Sequence, residues 1–331
     1  MTHPRRRGPP SARAAAALAG LSVLCLALTH QDARPQSART IKIVVPFAAG
    51  GPSDTTSRVL AEQIGRTQGV TVVVESRPGA ASAIATEAVA RAAPDGNTLL
   101  ITASALLINP ILKKMSYDPL TGFEPLCRLV RSPHVIVVNS GSPHRTLAGL
   151  FDAARAKPGE LTLGTVGPAT GPHIAFESLK RRAGVDITFV PYNGTAPAVT
   201  ALLGGHISVA LADFRDVIGP VKAGTLHALA TTSRARIEQL ADVPTVAESG
   251  YPGYEAESWF GMFAPAKTPP ETVAQLSGWL KTALQDPEVQ AKLINLGLFP
   301  LGSCDAEFAA YLHQHYDEYV NIIRDANIKS Q

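Results

Sequence analysis

Two stretches of this sequence put glycines and hydroxyls where a β-branched run gives way to a helical one. The first is Pro46-Phe47-Ala48-Ala49-Gly50-Gly51-Pro52-Ser53-Asp54; the second is Gly164-Thr165-Val166-Gly167-Pro168-Ala169-Thr170-Gly171-Pro172-His173. Glycine lets the backbone approach a ligand and turn its N–H groups inward. A helix that starts just beyond adds a partial positive charge, so the chemistry on offer is capture of a carboxylate or phosphate. Neither stretch contains Arg or Lys, so the donors are neutral. Thr165 and Thr170 are expected to add hydroxyls. Each stretch also suits a plain strand-to-helix turn, with Ser53 or Asp54 capping the first helix and His173 capping or orienting the second. Pro191–Thr195 and Ala212-Asp213 follow further strands and are expected to border the same cleft.

Catalytic signatures are missing. The chain has no GxxxxGK[ST], no GxGxxG opening a helix, no GxSxG, no HExxH and no CxxC. His313 and His315 are two apart on a predicted helix, hence on different faces and poorly placed to share a metal. No metal, cofactor or enzymatic activity is expected. A secreted hydrolase using Ser53 or Ser104 stays as an alternative, although no His or acid is spaced to activate either hydroxyl.

The elements that must hold these loops alternate along the chain. Strands are predicted at 41–45, 70–74 and 98–101, with helices through Val59–Ile64 and Ala80–Ala93 between them. After a strand at 135–138 the alternation resumes: helix 147–156, strand 161–163, helix 174–183, strand 187–190, helix 197–203, strand 207–211 and helix 216–223. From 271 the pattern is helical, at 271–284, 287–295 and 305–326. Such alternation specifies parallel βαβ units in an α/β protein. In open parallel sheets, ligands sit at the carboxyl ends of the strands, where both glycine-bearing loops fall.

With 331 residues the chain is long enough for two domains; it is 45% hydrophobic and 17% charged. Its formal charge of +3 is concentrated at the start. Arg5, Arg6 and Arg7 precede an apolar run from Ala14 to Leu28 and then a polar, small-residue segment, the pattern of a cleaved export signal. Cleavage is expected near Ala33 or Ala38. Lipidation at Cys25 is not expected, because Leu24 before it is too bulky. Loss of residues 1–38 removes Arg5, Arg6, Arg7, Arg13, Arg34 and Asp32, leaving 25 basic against 26 acidic residues. That balance and the 6% aromatic content argue against a nucleic-acid partner. Cys127 and Cys304 remain, read as two separate thiols.

Several ordered motifs then carry a family likeness: Pro46–Asp54, Glu75-Ser76-Arg77-Pro78-Gly79-Ala80, Pro94-Asp95-Gly96-Asn97-Thr98-Leu99-Leu100, Lys157-Pro158-Gly159, Val190-Pro191-Tyr192-Asn193-Gly194, Val243–Gly250 and Ser258-Trp259-Phe260-Gly261. From about residue 41 to its end, the chain resembles the Bug-type (TctC-like) extracytoplasmic solute receptors of tripartite tricarboxylate transporters. The resemblance implies a periplasmic binding protein fold, with two Rossmann-like α/β lobes joined by a hinge around a ligand cleft. One lobe is expected to comprise 39–140 plus 261–331 and the other 141–260, with 1–38 removed. It also implies that the two loops hold a ligand carboxylate, partly through bridging waters. The residues this assigns are Phe47, Ala48, Gly50, Gly51 and Asp54 in the first loop, Thr165, Gly167, Thr170 and His173 in the second, and Ser104, with Tyr192, Thr195 and Asp213 beside them. The second loop departs from the family pattern at Val166, Pro168 and Ala169, and Pro168 lacks an N–H. Trp259 reads equally as a hinge residue or as core. The function implied is a monomeric periplasmic receptor that takes a small carboxylated solute to membrane permease subunits; the alternative is a ligand-dependent sensor for a membrane signalling partner.

Overall fold

Apolar alternation and turn residues set the order of elements. The structure, a computed structural model, describes residues 39–168 and 170–329. The expected leader, residues 1–38, lies outside them. Strand β1 (Thr40–Val45) leads through helix α1 (Pro52–Gln68), β2 (Thr71–Ser76), α2 (Ala83–Ala90), β3 (Thr98–Thr102) and α3 (Ala105–Leu112) to a long strand β4 (Phe123–Asn139). There follow α4 (Leu147–Ala156), β5 (Thr162–Val166), α5 (Gly171–Ala183), β6 (Thr188–Tyr192), α6 (Thr195–Leu203), β7 (Val209–Asp213), α7 (Phe214–Lys222) and β8 (Leu226–Thr231). The chain closes with β9 (Glu257–Pro265), α8 (Pro270–Gln285), α9 (Pro287–Asn295), β10 (Phe299–Cys304) and α10 (Asp305–Asp325).

The strands run in the order β2-β1-β3-β9-β4-β7-β5-β6, and β10 and β8 also pair with β4. Pairing of β1 with β2 and β3 is parallel, as is pairing of β5 with β6 and β7. Between these two parallel blocks β4 changes partners. Its residues 123–133 pair with β9, and 134–137 pair with β7. The sequence shows only the apolar end of this strand, because Pro125 and Pro133 argue against a continuous one. Register shifts between Pro125 and Cys127 absorb the first proline.

Both faces of each block are covered. Ile41, Ile43 and Val45 join Leu60, Leu280 and Leu284 on one face of the first block, while Val44, Leu100, Phe263 and Phe308 fill the other. In the second block Ile136 and Val138 face one core, and Val135 and Val137 the other. This double burial accounts for the continuous apolar run in β4. Trp259 is fully buried in β9, edge-on to Phe308 and Tyr311, so it belongs to the core. Among the described residues no helix is long and apolar enough to cross a membrane.

Two local expectations are corrected. The helix expected from Ala80 begins at Ala83, since Ala80, Ala81 and Ser82 take φ of 47°, 53° and 76°. Asn109 Nδ2 donates to the Ala81 carbonyl at 2.8 Å and fastens this left-handed turn. Cys127 and Cys304, expected apart, form a disulfide. Strand β10, which the sequence did not reveal, lies antiparallel on β4 and sets Cys304 opposite Cys127.

Candidate functional site

Because the pairing within each block is parallel, the loops leaving its strands gather along one edge. In the first block these are 46–51 after β1, 77–82 after β2 and 103–104 after β3. In the second they are the loops after β5 and β6, and the turn at Asp213. Helices α1, α2, α3, α5, α6 and α7 begin there, bringing first-turn N–H groups that no carbonyl of their own helix can satisfy. The edges touch where Ser104 meets Gly171: a Cβ on Gly171 would lie 2.8 Å from Ser104 Oγ. A side chain at 171 would therefore force the Ser104 hydroxyl to turn away.

In the first loop Gly50 holds φ +80°, a left-handed turn that favours glycine, and Gly51 caps α1 with φ −74°. Gly50 N–H donates to Asp54 Oδ2 at 2.9 Å. Arg58 grips the same carboxylate with Nε on Oδ2 at 2.9 Å and Nη2 on Oδ1 at 3.0 Å, and Ser76 Oγ adds a bond at 3.3 Å. Arg58 foremost, helped by Gly50 and Ser76, outweighs burial and holds this carboxyl below the usual carboxylate range. Asp54 thus braces the loop. The sequence held a sign of this in the i,i+4 spacing of Asp54 and Arg58. Phe47 packs on the core beneath, while Ala48 is exposed.

In the second loop the hydroxyls turn to the protein. Thr165 is fully buried and donates to the Leu211 carbonyl at 2.7 Å. Thr170 donates to the Gly167 carbonyl at 2.9 Å and receives His173 N–H at 3.5 Å, capping α5. Gly167 N–H donates to the Tyr192 carbonyl at 3.0 Å, tying this loop to the end of β6. His173 stacks on Phe189 with ring centres 4.1 Å apart. Burial, with the Lys180 charge nearby, lowers its pKa to about 4, so the imidazole is neutral at pH 7.

Beside this loop, Thr195 Oγ1 lies 3.4 Å from Asp213 Oδ2 and also donates to Asp216, a residue the sequence reading missed. Burial raises the Asp216 pKa above the usual carboxylate range. The structure therefore joins Ser104, Gly167, Thr170, His173 and Tyr192 around one loop and pairs Thr195 with Asp213. The bonds of Phe47–Asp54 are mostly made within their own block. His134, also missed, touches Asp213 through Nδ1 and Ser258 through Nε2, from strands distant in sequence, and no local pattern could have marked them. The described residues contain no cluster of His, Cys, Asp or Glu suited to a metal. Ser53 is almost fully buried and its hydroxyl has no hydrogen-bond partner, so no base is in place to activate it as a nucleophile.

Two α/β blocks meeting at the carboxyl ends of their strands, with helix starts facing the junction, define the architecture of a periplasmic binding protein. The chain belongs to the tripartite tricarboxylate transporter receptor family, whose model matches residues 56–328. This is a family of solute receptors, not of enzymes. The chain is 36% identical over 316 residues to a protein encoded in the TAR-I ttuE–ttuC′ intergenic region of Agrobacterium vitis, covering 93% of this chain and 89% of that one. Among solved structures it is similar to the periplasmic binding protein BugD, at 34% identity and TM-score 0.75, covering 88% of this chain and 99% of BugD. It is also similar to Rpa4515 of R. palustris, solved with adipate, at 31% identity and TM-score 0.78 over 89% of this chain and 99% of that one.

Proposed function

We propose that this protein captures a small carboxylate-bearing molecule between its two lobes in the periplasm and delivers it, as a monomer, to the membrane permease of a tripartite transporter. The observation that carries this is the meeting of the two strand edges at Ser104 and Gly171, within a family of such receptors. The adipate bound by Rpa4515 supports a carboxylate as the recognised group. The backbone of Phe47, Ala48, Gly50 and Gly51, with Gly167 and Ser104, lines the cleft. Asp54, Thr165, Thr170, His173 and Tyr192 hold the loops in shape, and Thr195 and Asp213 border the far side. The lobes divide as 39–140 plus 261–331 and 141–260, and 1–38 is removed on export.

Calorimetric titration with adipate and with its diamide tests the reading. A helix start favours the anion, so the acid should bind and the diamide should not. Equal affinity for the two would remove the carboxylate as the anchor. N-terminal sequencing of protein from the periplasm should begin between about residues 28 and 40; an intact Met1 would contradict the leader.

A further inference from the structure

His134 stands where β4 changes partners. Pro133 pairs with Glu257 of β9, and His134 pairs with Asp213 of β7. Its side chain is 1% exposed and touches both blocks: Nδ1 lies 3.0 Å from Asp213 Oδ1, and Nε2 lies 3.3 Å from Ser258 Oγ. Asp213 ends β7, whereas Ser258 is the second residue of β9. The backbone beneath the ring is fixed, because His134 N–H donates to Thr232 Oγ1 at 3.1 Å and Thr232 N–H donates to the His134 carbonyl at 2.9 Å.

The two contacts differ in quality. Ser258 Oγ and Nε2 are placed to share a hydrogen bond; because a carboxylate oxygen accepts, the arrangement that satisfies both contacts has the Ser258 hydroxyl donating to Nε2 and Nδ1–H facing Asp213. There the atoms are close but misaligned, and both Nδ1 and Asp213 Oδ1 are buried without a hydrogen-bond partner. Buried polar atoms left unpaired in one arrangement favour another that pairs them. Room for such a shift exists, since His134 borders a cavity of about 590 Å³ between α5 and α10. From Asp213 the chain of contacts continues through Oδ2 to Thr195 at the cleft edge.

We propose that His134 is a positioning residue for ligand capture: closure of the two lobes aligns its Nδ1–H with Asp213, and that bond fixes Asp213 and Thr195 at the cleft and favours the closed, ligand-holding state. The inference rests on the reading of the cleft given above. Ser258, His134 and Asp213 stand in the order of a nucleophile, base and acid. In a buried junction of a receptor, the same order serves as a latch.

The test uses the mature protein and adipate as the probe. His134→Leu removes both contacts and should bind about tenfold more weakly, through faster dissociation, because less of the protein occupies the binding-competent state. His134→Asn, whose amide can donate in place of Nδ1–H, should recover to within about threefold of wild type. Small-angle scattering should show the compaction on adding adipate reduced in the Leu variant and restored in the Asn variant, a change that loss of stability alone would not produce. The losses from His134→Leu and Asp213→Asn should not add in the double variant. Wild-type affinity in His134→Leu, or full additivity with Asp213→Asn, would overturn the proposal. Should the Leu variant fail to fold, Ser258→Ala keeps the ring and should weaken binding about threefold with the same non-additivity; full additivity there overturns it equally. A wild type that binds no acid refutes the cleft reading first, and this inference falls with it.

Discussion

Breaking the bridge between Cys127 and Cys304 is the most direct test of the tertiary arrangement. The two residues are separated by 177 positions, so the bond closes a loop of more than half the chain. Loop-closure entropy for such a length gives a ceiling of about 5 kcal/mol, and native bridges typically contribute about 2–4 kcal/mol. The cleaner variant is Cys304→Ser. Cys304 is half-buried in β10, whereas Cys127 is fully buried in the core, where a serine would add the cost of an unpaired hydroxyl. Urea unfolding of Cys304→Ser, and of wild type with a thiol reductant, should show midpoints lowered by the same amount. Thermal midpoints should fall by about 5–10 °C. Alkylation of the unfolded, non-reduced protein should leave Cys127 and Cys304 unmodified. Two alkylated cysteines, or a midpoint indifferent to reductant, would show that β10 does not lie on β4 in this register.

The remaining predictions concern the loops. Gly50→Val forces a β-branched residue into φ +80° and should abolish adipate binding, whereas Gly51→Ala, at φ −74° with its new Cβ 3.3 Å from the Ala48 carbonyl, should fold and bind within about threefold; equal losses in calorimetry would refute the distinction. Thr170→Ala removes a helix cap and should cost about 1 kcal/mol in urea unfolding, with Thr170→Ser retaining most of it; a large affinity loss at unchanged stability would show that the hydroxyl serves the ligand instead. His173 has its pKa lowered to about 4, while the unfolded chain takes up this proton near 6.5, so the unfolded state holds more protons between those values. Stability should therefore fall as pH drops through that window, by up to about 3 kcal/mol from this group, and His173→Asn should flatten the profile of urea midpoint against pH. An unchanged slope would mean that His173 is not buried.

The repeating order of strand and helix, both glycine-bearing loops and the C-terminal helices were legible because each rests on local chemistry. β-branched runs favour strands, Gly69 and Gly184 end helices in left-handed caps, and Pro52 and Pro172 open them without losing a needed N–H. Partner choice was not local. Whether Thr165 and Thr170 face a ligand or the backbone depends on where the Leu211 and Gly167 carbonyls lie, and the first of these comes from another strand. The prolines of β4 argue against a continuous strand until β9 supplies a register that tolerates them. Cys127 finds Cys304, and His134 finds Asp213 and Ser258, only because β4 runs through both blocks and brings together residues far apart in the chain. Periodicity and caps report the energetics of a segment against its neighbours in sequence; a disulfide, a buried imidazole contact or the approach of Ser104 to Gly171 reports which segments the sheet has made neighbours in space.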